Sequence, residues 1–98
     1  MPDERYLWDD ANLDHIARHN VEDYEAEEAL EDPERVVGSA YNSRNERRYS
    51  IIGGTLGGRI LHIVYTLRQS RNSRKGNEMI RVMTAHDAKK SERKRYKR

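Results

Sequence analysis

The sequence predicts an α+β domain: two N-terminal helices, an antiparallel meander of about four strands, and a C-terminal helix. Three observations predict it. Apolar residues in the first third, such as Leu13, Ile16 and Ala17, recur at helical spacing. The middle alternates β-branched runs with glycine-rich or polar turns, as in a series of hairpins. The stretch Glu78–Tyr96 begins as an apolar strand and then changes to helix-favouring residues. With 98 residues, the chain reads as one domain, 1–98, with a small core.

Tyr6-Leu7-Trp8 reads as a brief strand. Asp9 or Asp10 caps the first helix, since a carboxylate oxygen accepts from the exposed first-turn amides. Asn20 tolerates left-handed backbone and stops that helix. The second helix spans 22–31, with acidic residues where the dipole favours anions. Ala26, Ala29 and Leu30 face inward, and Asp32-Pro33 ends it. Residues 35–41 form the first strand, with Gly38 as a bulge. A polar turn at 42–46 leads to a second strand at 48–53. GGTLGG, 53–58, is a turn that uses the positive φ open to glycine. RILHIVYTLR, 59–68, is the most continuous apolar run and belongs at the sheet centre. Residues 69–77 form a polar hairpin loop. The fourth strand covers 79–83, and the last helix starts at Ala85, with Ala88, Glu92 and Tyr96 on one face. The helices cover one face of the sheet, leaving the other as a binding surface.

Mean hydropathy is −1.14 and there is no Phe, yet one Trp, six Tyr and the aliphatic runs argue for a folded chain. Zero cysteines exclude a disulfide framework, a thiolate metal site and a cysteine nucleophile. No apolar stretch approaches the ~20 residues that cross a bilayer. The acidic start MPDERYLWDD lacks signal-peptide patterning, so the expectation is a cytoplasmic protein without membrane contact. Residues 1–35 hold 13 acidic against 3 basic side chains, −10; residues 36–98 hold 16 basic against 4 acidic, +12. The basic part suits a polyanion, unless the two parts pack together and neutralise each other.

His15 and His19 have the spacing of two metal ligands on a helix. Ile16 stands where a zinc hydrolase has Glu, so no metal or other cofactor is expected. GGTLGG lacks the Lys and Ser/Thr of a phosphate loop and reads as a hairpin turn. Arg48, Arg59, Arg68 and Arg81 lie on or beside strands. Antiparallel pairing can gather several on one face, where planar guanidinium groups suit phosphate. Tyr49 and Tyr65 lie on the same strands and offer rings for base stacking.

WDDAN at 8–12, ARHNV at 17–21, EALEDP at 28–33, RYSIIG at 48–53, GGRILHIVYT at 57–66 and IRVMTAHDAKKSERKRY at 80–96 follow one another as in the BrnT-type toxins. The chain resembles these small ribonuclease toxins of type II toxin–antitoxin systems, whose fold is related to the RelE toxins. The resemblance implies metal-independent RNA cleavage by attack of the ribose 2′-hydroxyl on the neighbouring phosphate. It also implies a small ribbon-helix-helix antitoxin as partner, and it allows a homodimer within the toxin–antitoxin complex. The family's basic surface maps to Arg48, Arg59 and Arg81, with Lys89 and Arg93 on the last helix. The family pattern Ser-Ala-Arg is here Thr84, Ala85 and His86, followed by Glu92 and Arg93. His86 replaces an arginine, either as a substitute cation or as a proton-transfer group. Set against the ribonuclease are a non-enzymatic nucleic-acid-binding module and an inactive interaction subunit of the same fold.

Overall fold

The computed structural model describes residues 5–69 and 78–97. The expected loop at 69–77 therefore lies, from residue 70 onward, outside the described residues. The fold is α+β. Its elements run α1 (Asp10–Ala17), α2 (Asp23–Leu30), β1 (Val36–Val37), β2 (Tyr41–Ser43), β3 (Glu46–Gly54), β4 (Ile60–Gln69), β5 (Glu78–Asp87) and α3 (Lys90–Lys97). All sheet neighbours are antiparallel, in the order β1-β3-β4-β5, with β2 also on β3. The expected first strand is thus present but broken at 38–40 into β1 and β2. The expected 42–46 turn narrows to Arg44 and Asn45, whose φ values of 51° and 63° suit a two-residue hairpin.

α1 starts in a capping box: Asp9 Oδ1 accepts from the Asn12 amide, and Asn12 Oδ1 accepts from the Asp9 amide. At its end Asn20 takes φ 59°, and the Val21 amide reaches back to the Ile16 carbonyl. These bonds return the chain with Ile16 and Val21 both in the core. Ala17 was expected inward but is exposed; Asn12 is buried instead, donating to the carbonyls of Leu7 and Val82. That polar contact anchors α1 to the outer strand. Residues 6–8 form a single parallel bridge from Tyr6 to Ile80 rather than a strand.

Ala26, Ala29 and Leu30 of α2 are buried as expected, against Ile51, Leu61 and Ile63. At Gly53 the α2 backbone comes so close that a Cβ would lie 2.2 Å from the Ala29 carbonyl oxygen. The next residue, Gly54, faces the other way: a Cβ there would meet Tyr96 and Asp32. α3 therefore lies across the second face, correcting the expectation of helices on one face only. The Tyr96 hydroxyl donates to Asp32, whose carboxylate also accepts the Gly54 amide at 2.7 Å.

The largest departure is in β5. The helix expected from Ala85 starts at Lys90, and Thr84, Ala85 and His86 belong to the strand. Ala88 precedes the helix and is buried, its amide bonded to the Ile60 carbonyl. Pairing with β4 as far as Leu61–Asp87 overrides the helical preference of the Ala-rich stretch. A register shift pairs Val64 with Thr84 but Tyr65 with Val82, leaving Met83 as the extra residue of a bulge.

Candidate nucleic-acid interface

The bulge decides which β5 side chains share a face. Arg81 and His86 are five residues apart and would point to opposite faces in a regular strand. With Met83 inserted, Arg81 pairs with Thr66 and His86 with His62, two β4 residues on the same face. On β3, Arg48 also pairs with Thr66, and Ile52 with His62. Arg48, Thr66 and Arg81 thus form one transverse row on the α3 face, with Tyr41 of β2 beside Arg48. His62 and His86 form a second row, four residues or ~13 Å farther along β4.

The first row is cationic. Arg81 binds the Asp9 carboxylate, and Arg48 lies 3.6 Å from Glu46, which also binds Arg68 at 2.7 Å. Three guanidinium groups share two carboxylates. Arg48 Nε is buried and has no acceptor among the described residues. Thr66 is buried in the same row, its hydroxyl donating to the Arg47 carbonyl.

The second row holds the titratable cluster. His86 Nδ1 is 2.9 Å from the Asp87 carbonyl oxygen, which can only accept, so a neutral His86 carries its proton on Nδ1 and presents a lone pair on Nε2. That Nε2 lies 3.4 Å from His62 Nδ1, and Glu92 Oε2 lies 3.8 Å from the same Nδ1. Glu92 Oε1 accepts the Lys89 amide, fixing the carboxylate at the start of α3. Burial lowers the His62 pKa; Glu92 opposes this, while His86, Arg95 and Lys89 push it further down. His62 is therefore neutral at neutral pH. All four histidines of the chain form one array: ring centroids lie 5.7 Å apart for His15–His19, 5.8 Å for His19–His86 and 5.2 Å for His62–His86.

The other expected site residues fall elsewhere. Arg59 is absent from both rows. It donates to the Asn20 carbonyl, Glu25 and Asp87, clamping the α1–α2 connection and α2 to β5. Tyr49 and Tyr65 are register partners with rings stacked at 5.5 Å, but they alternate onto the α1–α2 face, where Tyr65 packs against the core. Burial raises the Tyr65 pKa. Lys89, just before α3, and Arg93, one turn further on, are exposed, and Lys89 lies near His62. His62 and Glu46 were missed. The available signal for His62 was a lone polar residue in the most apolar strand of the chain.

No curated protein matches the chain. The family described as "Ribonuclease toxin, BrnT, of type II toxin-antitoxin system" matches residues 8–92, which include both rows and the first turn of α3. This protein belongs to the BrnT family of ribonuclease toxins of type II toxin–antitoxin systems, and membership implies an antitoxin protein as its partner.

Proposed function

We propose that the α3 face of the sheet binds single-stranded RNA and cleaves it by metal-independent phosphoryl transfer. The observation that carries the reading is His62 Nδ1 at 3.4 Å from His86 Nε2, beside Glu92, on the face that also displays Arg48 and Arg81. Two imidazoles and a carboxylate supply groups that accept and return protons. The cationic row supplies phosphate contacts.

In this reading His86 Nε2 takes the proton of a ribose 2′-hydroxyl. The freed oxygen attacks the adjacent phosphorus, forming a 2′,3′-cyclic phosphate and breaking the bond to the 5′-oxygen of the next nucleotide. That oxygen leaves with a proton from the cluster. Lys89 and Arg93 offset charge at the reacting phosphate. Arg48, Arg68 and Arg81 hold a neighbouring stretch of backbone, since the row lies ~13 Å away. A ribbon-helix-helix antitoxin covering this basic face would block RNA entry. Tyr41, at 45% exposure beside Arg48, offers such a partner an aromatic contact.

The test is incubation of purified protein with a defined single-stranded RNA in the presence of chelator, with analysis of the ends. Cyclic-phosphate and 5′-hydroxyl ends, lost with His86→Ala, are expected. RNA that is bound but left intact would favour the non-enzymatic binding module.

A further inference from the structure

We propose that His62, His86 and Glu92 also form a site for one divalent transition-metal ion of the zinc class, and that its occupancy switches the ribonuclease centre off. His62 Nδ1, His86 Nε2 and a Glu92 carboxylate oxygen all lie within 4.8 Å of one another. Two ligands bound ~2.0–2.1 Å from a tetrahedral ion lie roughly 3.3–3.5 Å apart. The two nitrogens are 3.4 Å apart, which is long for a hydrogen bond but fits that spacing. Glu92 Oε2 lies 3.8 Å from His62 Nδ1, and a Glu92 oxygen lies within 4.8 Å of His86 Nε2, so a side-chain adjustment of about an ångström closes the set.

The surroundings are those of a ligand set. The Asp87 carbonyl holds His86 Nδ1 and leaves Nε2 facing His62 Nδ1, as backbone carbonyls commonly orient metal-binding histidines. The Lys89 amide fixes Glu92 through Oε1; Oε2 has no hydrogen-bond donor among the described residues. The three residues sit on β4, β5 and the first turn of α3, and all are half-buried. Two imidazoles and one carboxylate suit zinc-class ions and are poor for calcium or magnesium, which need several oxygens. Lys89 and Arg95 lie near His62 and oppose an ion held by charge alone, reinforcing that selection. Three protein ligands leave a fourth position open.

The site as a metal site stands on this geometry. The switch rests on the ribonuclease reading above, because a bound ion would occupy the lone pairs that move protons there. The experiment titrates metal-free, full-length protein with zinc by calorimetry, with X-ray absorption at the zinc edge and RNA cleavage in parallel. One ion per chain in a nitrogen/oxygen shell is expected. His62→Ala, His86→Ala and Glu92→Gln should each weaken binding at least tenfold; glutamine retains the helix-cap hydrogen bond. Zinc should raise the melting temperature of the native protein and not of His86→Ala, by mass action. The double variant His15→Ala/His19→Ala should bind as the native protein does. Equal affinity in the three variants, or loss only in the double variant, overturns the site. Saturating zinc that leaves cleavage unchanged or faster overturns the switch. A protein that binds zinc as described yet never cleaves RNA keeps the metal site and sinks the ribonuclease reading instead.

Discussion

Asp9 uses one carboxylate for two purposes: it caps α1 through the Asn12 amide and it binds the Arg81 guanidinium. The Arg81 bond, then the Asn12 amide, hold its pKa below the ordinary carboxylate value, against a smaller opposing effect of burial. Its contribution to stability is therefore present above that ordinary value and lost as pH falls through the lowered one. The two roles separate by mutation. Asn caps a helix about as well as Asp, so Asp9→Asn should lose only the exposed Arg81 pair, with a small drop in melting temperature, while freeing Arg81. Asp9→Ala should lower it further. RNA affinity, read by fluorescence anisotropy, should rise with Asp9→Asn; an unchanged value would remove Arg81 from the interface.

Arg81 and Arg59 looked alike in the sequence and should differ on mutation. Arg81→Ala is expected to slow cleavage at subsaturating protein through weaker RNA binding, with a salt slope smaller by about one and little change in folding. Arg59→Ala breaks bonds to Asn20, Glu25 and Asp87 and should destabilise by about 1–3 kcal/mol. The rate per folded molecule should hold. Single-turnover cleavage and urea melts of both variants decide it; the reverse assignment would refute the two-row arrangement.

The order of the elements was legible because periodicity and turn chemistry are local. Asp9, Asn20 and the glycine-rich turn signal themselves without help from the rest of the chain, although Gly53 and Gly54, expected in the 53–58 turn, belong to β3. The site was less legible, because its faces depend on register. Arg48, Thr66 and Arg81 gather only through pairings between distant strands. Arg81 and His86 share a face only because Met83 bulges. The bulge and the strand's extension to Asp87 come from pairing with β4, which overrides the local helical preference of the AHDAKK stretch. Arg59 was misplaced for the same reason: its partners Glu25 and Asp87 are remote in sequence.

Gly53 tests the packing of α2 on the sheet. A Cβ there would lie 2.2 Å from a backbone oxygen, which cannot rotate away as a side chain can. Gly53→Ala should destabilise by about 1–3 kcal/mol through overpacking, or block soluble folding. Gly57→Ala, with its nearest contact at 3.8 Å, is the control and should melt near the native temperature. Equal melting of the two variants would contradict the close approach.

Tyr96 ties α3 to the sheet and predicts an alkaline limit. Its hydrogen bond to Asp32, with smaller help from burial, raises its pKa from 10.0 to about 12. A raised folded value means the contribution is complete below pH 10 and is lost as pH rises through 12. Tyr6 is raised too, mainly by burial and then by Glu31, so part of the alkaline loss belongs to it. Tyr96→Phe should shrink the fall in stability above pH 10 without abolishing it. Asp32 works at the acid end: burial pushes its pKa up, but bonds from Tyr96, Glu34 and Gly54 outweigh that and hold it low. Denaturant melts from pH 8 to 12 on both proteins read the difference, and identical curves would mean that α3 docks without this bond.

His86→Arg restores the residue that the family pattern carries and so asks what the histidine does. His86 belongs to the strand and is placed by its pairing with His62, although its Nε2 lies within 4.8 Å of a Glu92 carboxylate oxygen in the first turn of α3. Its ring is fixed by the Asp87 carbonyl and faces His62 across the ladder. An arginine at this position supplies charge but remains protonated, so it cannot accept a proton. If His86 serves only as a cation, His86→Arg keeps or raises the cleavage rate. If its Nε2 accepts the 2′-hydroxyl proton, the variant loses the acid–base contribution, about 10²–10⁴-fold, while RNA affinity is kept or improved by the added charge. The geometry favours the second outcome, because the Asp87 carbonyl occupies His86 Nδ1 and leaves Nε2 as the nitrogen that can accept a proton. Cleavage under single-turnover conditions, paired with an affinity measured on RNA carrying a 2′-methoxy group at the scissile position, separates the two. Tight binding with slow cleavage supports proton transfer at His86; unchanged cleavage assigns that step to another group.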